Sequence, residues 1–127
     1  MAQLTGINLG TGRIATAISA GVWHTCALLD NAAVKCWGYN TYGRLGIDNT
    51  TTMGDNSSEM AVLPSIGLGT GRIATAIAAE GNHSCALLDN ASVKCWGRNN
   101  KGQLGIDNTT NLGDNTGEMA VLPSIDL

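Results

Sequence analysis

The segment HTCALLDNAAVKCWGYNTYGRLG (24–46) occurs a second time, with a few changes, as HSCALLDNASVKCWGRNNKGQLG (83–105). Each copy contains two apolar runs on either side of a short polar turn, which is Asp30-Asn31-Ala32 in the first copy. Asp and Asn favour such turns because their side chains bond to the local backbone and tolerate left-handed geometry. The pattern therefore predicts an antiparallel hairpin that occurs twice in the chain.

The whole chain repeats with a period of 59 residues and without a gap. When 9–68 is laid on 68–127, only 15 of 60 pairs differ, an identity typical of recent duplication or deliberate construction. The first nine residues resemble the end of each unit. We therefore divide the chain into a partial repeat, which supplies an additional outer-strand segment, and two full repeats: 1–9, 10–68 and 69–127.

Each full repeat has four candidate strands, and we predict an all-β fold. In the first repeat they are A (about 14–20), B (24–30), C (33–38) and D (60–66), with a long polar loop between C and D. The proline in D suits an edge strand, where a missing N–H costs little. A repeated four-stranded antiparallel unit is typical of β-propeller blades. An eight-stranded β-sandwich and a β-solenoid are the alternatives.

Composition excludes several classes of function. The 127 residues carry a net charge of −3, whereas nucleic acids and anionic membranes attract basic proteins. The apolar runs are too short to span a membrane, and the N-terminus lacks the pattern of a secretory signal. We find no Ser/His/Asp pattern, phosphate loop or helical pair of metal-binding histidines. We therefore expect no enzyme, no cofactor and no resident metal.

The four cysteines are placed symmetrically within the two hairpins. Cys26 and Cys36 flank Asn31 at equal distance, and Cys85 and Cys95 flank Asn90 in the same way. Directly opposed residues in adjacent strands lie within disulfide reach. We predict one disulfide in each repeat, with four reduced thiols as the alternative. Disulfides would suit an extracellular or cell-envelope location.

The two segments quoted above resemble the regulator of chromosome condensation repeat family. The shared pattern is a small-residue strand ending in Ala-Gly, His-x-x-Ala-Leu, an Asp-centred turn, Trp-Gly and Asn-x-x-Gly-x-Leu-Gly. Two features depart from it: Glu80-Gly81 replaces the Ala-Gly of the first copy, and Ile-Asp follows Leu-Gly, where the family often has a second Leu-Gly. The paired-cysteine version is similar to repeats of bacterial, often secreted, proteins. The resemblance implies a ring of about seven four-stranded blades. It also implies interaction activities, such as guanine-nucleotide exchange on a small GTPase, chromatin contact or β-lactamase inhibition.

His24 lies on the same predicted strand face as Cys26, with Cys36 opposite, so a three-ligand zinc site is conceivable. The resembling family carries this histidine without the cysteines. We therefore interpret His24 and its equivalent His83 as structural residues.

Positions that differ between the two copies concentrate at one end of the predicted blade, where the A–B and C–D loops meet. Trp, Tyr and Arg, which are enriched at binding hot spots, occur there. We predict a protein-binding surface, although unconstrained loops would also drift. Its candidate residues are Trp23, Tyr39, Tyr42 and Arg44 in the first copy, and Asn82, Arg98, Asn100, Lys101 and Gln103 in the second.

The C–D loops also hold carboxylates, which could bind Ca²⁺. They are Asp48, Asp55 and Glu59 in the first repeat, and Asp107, Asp114 and Glu118 in the second. The EF-hand spacing fails, because Met53 and Leu112 occupy its glycine position. We favour solvated loops and keep a calcium- or carbohydrate-binding module as an alternative.

Two blades cannot close a ring alone, so we expect either a homo-oligomer or a piece of a longer chain. Three chains would supply six blades and four chains would supply eight. Segment 1–9, with apolar Leu4 and Ile7, is a candidate clasp on a neighbour's outer edge. The sequence thus favours a non-enzymatic, self-assembling scaffold that binds a protein. A guanine-nucleotide exchange regulator is the runner-up.

Overall fold

The computed structural model describes residues 5–125 and 127, and it contains two three-stranded antiparallel sheets, one in each repeat. In the first sheet β1 (Ala15–Ala20), β2 (His24–Leu29) and β3 (Val34–Gly38) lie side by side in chain order. The second sheet repeats this order with β4 (Ala74–Glu80), β5 (His83–Leu88) and β6 (Val93–Gly97). The all-β prediction and strands A, B and C are confirmed.

The hairpins have the predicted register. Cys26 is the direct partner of Cys36, and Cys85 is the direct partner of Cys95. At the first turn Asn31 Oδ1 accepts a hydrogen bond from the Ala33 N–H at 3.1 Å. Ala32 adopts a φ of 67°, because it is the last residue of a three-residue turn, a position that takes left-handed geometry. Local turn chemistry therefore sets the pairing of β2 with β3.

The predicted fourth strand is wrong. Its first residues form a short 3-10 helix, Met60–Val62, and the second repeat has its equivalent at Met119–Val121. Val62 N–H donates to the Glu59 carbonyl at 3.1 Å, which closes this turn. Pro64 has no N–H to offer a sheet ladder. A single bond from Ile66 N–H to the Val34 carbonyl, at 2.8 Å, remains on β3 at this position.

Buried asparagines hold the long loops that precede the 3-10 helices. Asn40 is fully buried, and its amide nitrogen donates to the carbonyls of Asn49 and Thr51 at 2.8 and 3.0 Å. Its Oδ1 accepts the Leu45 N–H at 3.0 Å. Asn99 makes the same set of bonds in the second repeat. The loop predicted as solvated is therefore built around an internal hydrogen-bonded centre.

The two repeats share one core. The front of the first repeat, which we define by His24, Leu28 and Gly43, packs on the back of the second, which we define by Ala79 and Trp96. The inner strands β1 and β4 lie next to each other, and the Val22 N–H donates to the Gly81 carbonyl at 2.9 Å. This contact is called the junction below.

The structure bears on two further features of the sequence, the candidate clasp and the length of the apolar segments. Of the candidate clasp, residues 1–4 fall outside the described residues, and Ile7 is exposed. In the part of the chain that the structure describes, neither helix is long and apolar enough to cross a bilayer.

Candidate protein-interaction surface

Three aromatic side chains and two arginines meet at the loop end of the molecule. The rings of Trp23 and Tyr39 make an edge-on contact with centroids 5.7 Å apart. The Arg44 guanidinium lies 5.2 Å from the centroid of Tyr39 and 5.5 Å from that of Tyr42. The Arg98 guanidinium of the second repeat also lies over Tyr42, at 4.5 Å from the ring centroid. We call these five side chains the aromatic–arginine cluster.

Arg44 supports the cluster from beneath. Sequence reasoning placed it among exposed contact residues, but only 1% of its surface is accessible. Its Nη1 donates to the Val22 carbonyl at 2.8 Å, and burial lowers the pKa of the guanidinium. Cations over aromatic faces are attracted by the ring quadrupole, more strongly when desolvated. Arg44 therefore orients Tyr39 and Tyr42 instead of offering its own charge to solvent.

Trp23 is both exposed and backbone-strained. Its side chain is 74% accessible, and its φ is 67°. A bulky residue in the left-handed region is an outlier that its surroundings must hold in place. In the second repeat the left-handed residue of this turn is Gly81, with a φ of 50°, and Asn82 occupies the position of Trp23. The fold does not need Trp23, which makes it a candidate contact residue.

The remaining candidates of the second repeat make a polar turn without aromatic rings. The Asn82 carbonyl accepts the Arg98 N–H at 3.0 Å, which ties Arg98 to its loop. Gln103 Oε1 accepts the Lys101 N–H at 2.8 Å. Asn100 and Lys101 are exposed. Of the second-repeat candidates, Arg98 is thus the one that the structure places on an aromatic ring of the first repeat.

Sequence reasoning missed the residues that join the repeats below this cluster. The Arg44 carbonyl accepts the indole N–H of Trp96 at 3.1 Å and the Ser84 hydroxyl at 3.0 Å. Ser84 Oγ also bonds His24 Nε2 at 2.8 Å. Asp48 accepts the backbone N–H groups of residues 117 and 119, at 3.0 and 2.9 Å. Position 25/84, which carries Thr in one copy and Ser in the other, was a signal of this role.

The glutamate of each acidic loop bonds within its own loop. Glu59 Oε2 accepts three backbone N–H groups, from Gly54, Asp55 and Asn56, at 2.7–3.1 Å. The amides of Asn56 and Gly54 lower the pKa of Glu59. Glu118 binds its own loop in the same way. Within the described residues no group of three His, Cys, Asp or Glu side chains is placed to hold a metal.

Both predicted disulfides are formed, Cys26–Cys36 and Cys85–Cys95. His24 lies beside the first of them and is 3% accessible. Burial lowers the pKa of His24 to about 4, and its Nδ1 has no partner among the described residues. A neutral imidazole bonded to Ser84 fits the structural interpretation of this histidine.

Comparison with known proteins identifies the repeats. The sequence model of the regulator of chromosome condensation (RCC1) repeat matches residues 15–44 and 74–103. The human probable E3 ubiquitin-protein ligase HERC3 is 35% identical over 89 residues, which are 70% of this chain and 8% of that protein. The ultraviolet-B receptor UVR8 of Arabidopsis thaliana is 33% identical over 89 residues, which are 70% of this chain and 19% of the receptor.

Solved structures show the same architecture. The structure of Prp20p from Saccharomyces cerevisiae superposes with a TM-score of 0.55 and 27% identity, over 77% of this chain and 24% of that one. This chain therefore spans a small part of the proteins it resembles. Its two sheets correspond to β-propeller blades. The chain is built from two repeats of the regulator of chromosome condensation family.

Proposed function

We propose that this chain is a non-enzymatic β-propeller module that assembles with copies of itself and holds a protein ligand on the aromatic–arginine cluster. The observation that carries the proposal is the cluster itself. The residues at which the two copies differ provide Trp23, Tyr39 and Tyr42, and the fold brings them together. Tyr, Trp and Arg dominate binding energy at protein interfaces.

The chemistry of the cluster indicates what it would accept. Trp23 offers an apolar face, while Arg98 and Lys101 add positive charge on a protein whose net charge is −3. An acidic side chain next to an apolar one on the partner would satisfy both features. The rigid loops beneath, centred on Asn40 and Asn99, keep the cost of ordering this surface low.

The relation to Prp20p, which is described as binding Gsp1p and histones, favours a second candidate function. In that case the chain would act on a small GTPase as a nucleotide-exchange regulator. A nucleotide-release assay on a purified small GTPase separates the two candidates. Faster release in the presence of the chain supports exchange, whereas unchanged release supports a binding scaffold.

Binding at the cluster is tested with Trp23→Asn, which introduces the residue of the second repeat. Val62→Asn is the matched control, because Val62 is 72% exposed and lies on the 3-10 helix, which contributes no side chain to the cluster. Proteins retained by the wild type are then purified and titrated against all three proteins. We expect at least a 10-fold weaker affinity for Trp23→Asn. Ligands that bind all three proteins equally would contradict the proposal.

A further inference from the structure

The two ends of the described chain expose the same surfaces that the junction buries. Leu28, on the front of the first repeat, is 8% accessible, while its equivalent Leu87 is 40% accessible. On the back, Ala79 and Trp96 are buried, while the equivalents Ala20 and Trp37 are exposed and half-buried. The front of the second repeat is therefore an exposed counterpart of the buried front of the first. The back of the first repeat is likewise an exposed counterpart of the buried back of the second.

We propose that the front of the second repeat binds the back of the first repeat in a second copy of this chain, and that this contact reproduces the junction residue by residue. The inference rests on the proposed self-assembly and assigns its faces. A contact of this kind is head-to-tail, so it forms rings where the rotation closes and filaments where it does not.

The backbone at both ends already has the conformation that the junction uses. At the junction Asp48, with a φ of 59°, accepts N–H groups from Gly117, with a φ of 85°, and from Met119. The equivalents Asp107 and Ser58 have φ values of 60° and 70°. Asp107 of one copy can therefore accept the N–H groups of Ser58 and Met60 of the next without rearrangement.

The residues for three further junction contacts are also present on the two exposed faces. At the junction Trp96 donates to the Arg44 carbonyl; between copies, Trp37 would donate to the carbonyl of Gln103. His24 bonds Ser84 at the junction, and His83 would bond the Thr25 hydroxyl of the next copy. Leu87 would be buried as Leu28 is. Exposed apolar sheet faces of this kind are normally covered in soluble proteins.

Glycine provides a sharp test of the faces. A Cβ at Gly43 would overlap the Asp114 backbone nitrogen across the junction, whereas a Cβ at the equivalent Gly102 meets nothing within 4 Å. Gly102→Ala should therefore leave the single chain folded and block the front face. Gly71→Ala is the matched control, because the two glycines have φ values of 74° and 73° and neither has a neighbour within 4 Å.

The back face is blocked by Ala20→Arg, because Ala20 is exposed in the single chain and its equivalent Ala79 is buried at the junction. Sedimentation velocity from 1 µM to 1 mM then compares the variants. We expect wild type and Gly71→Ala to form particles heavier than 13.1 kDa. Gly102→Ala and Ala20→Arg should each raise the concentration needed for assembly at least 10-fold. An equal mixture of these two variants should give dimers through the one pair of faces left intact.

The outcomes separate the two proposals. If wild type assembles and both blocking variants assemble equally well, the assignment of faces is wrong while self-assembly stands. If wild type stays at 13.1 kDa throughout, a second copy is overturned as the occupant, and self-assembly falls with it. Circular dichroism melts of each variant test whether a loss of assembly results from unfolding of the single chain. Binding at the aromatic–arginine cluster is measured independently of both results.

Discussion

Trp23 has a strained backbone conformation that is not offset by burial of its side chain. Its left-handed φ is costly for a bulky side chain, and 74% of its surface remains in water. Asn tolerates this region far better. We expect Trp23→Asn to leave the free energy of unfolding unchanged, or to raise it by up to about 1 kcal/mol. Urea titration measures this, and a loss above about 1 kcal/mol would show that Trp23 belongs to the core.

His24 makes stability depend on pH. Its pKa is lowered by burial to about 4 in the folded chain, against about 6.5 when unfolded. Above pH 6.5 both states are neutral and the full stability is present. As pH falls towards 4, His24 is protonated in the unfolded chain but stays mostly neutral in the folded chain, so the free energy of unfolding decreases. By pH 4 the decline from this residue reaches about 3 kcal/mol.

Two glutamine variants check this assignment. His24→Gln should remove most of the decline between pH 7 and pH 4. His83→Gln should remove less, because His83 is only half-buried at the open front of the second repeat. Urea unfolding at several pH values gives the slopes. Equal slopes for the wild type and His24→Gln would assign the acid sensitivity to other groups.

Gly43 and Gly102 separate backbone strain from packing. Both have a φ of 73°, so alanine costs each about 1 kcal/mol in the left-handed region. At Gly43 the added methyl also meets the backbone of Asp114, and overpacking costs about 1–3 kcal/mol more. We expect Gly43→Ala to be the more destabilised by that amount in a urea titration of the dilute chain. Equal losses would mean that the junction yields without cost.

At the scale of the element, the hairpins were predictable because their determinants are local. The turn at Asn31 and the apolar alternation specify β2 and β3 whatever surrounds them. The fourth strand failed for a reason visible only in three dimensions. Met53 bridges Gly38 at one end of β3 and Ile66 bonds Val34 at the other, which leaves the residues between them free to form a 3-10 helix.

The two disulfides are alike in sequence but differ in their surroundings. Cys26–Cys36 lies at the junction with both residues at most 1% accessible, while Cys85 at the open front is half-buried. We expect limited reductant to open Cys85–Cys95 first in the dilute, folded chain, because a thiolate must reach the sulfur it attacks. Alkylation followed by peptide mass spectrometry gives the order. Simultaneous opening would show that the junction does not shield its disulfide.

The interaction surface was predictable in part. Antiparallel topology alone places the A–B and C–D loops at one end, and this was enough to anticipate that Trp23, Tyr39 and Tyr42 are neighbours. It was not enough to place Arg44, whose burial depends on the second repeat packing against its carbonyl. Asp48 was read as part of an acidic loop, since its partners lie about one repeat away in sequence.

At the scale of the whole molecule, neither repeat buries its own core. Leu28 and Cys26 are covered by the second repeat, and Ala79 and Trp96 by the first. Units that bury their apolar faces only by stacking depend on their neighbours for stability. We therefore expect the two repeats to unfold in a single transition, with equal calorimetric and van't Hoff enthalpies.

Truncation and a junction variant test this coupling. Residues 10–68 alone should lack a cooperative melt, because the front of that repeat would expose Leu28, Val34 and the first disulfide. Gly43→Ala weakens the junction without altering either hairpin. We therefore expect it to lower the melting temperature of both repeats together, in one transition. A folded 10–68 fragment, or two transitions in the wild type, would mean that each blade is stable alone. The junction would then be a docking contact between independent units, and the open ends would have no apolar surface that needs a second copy.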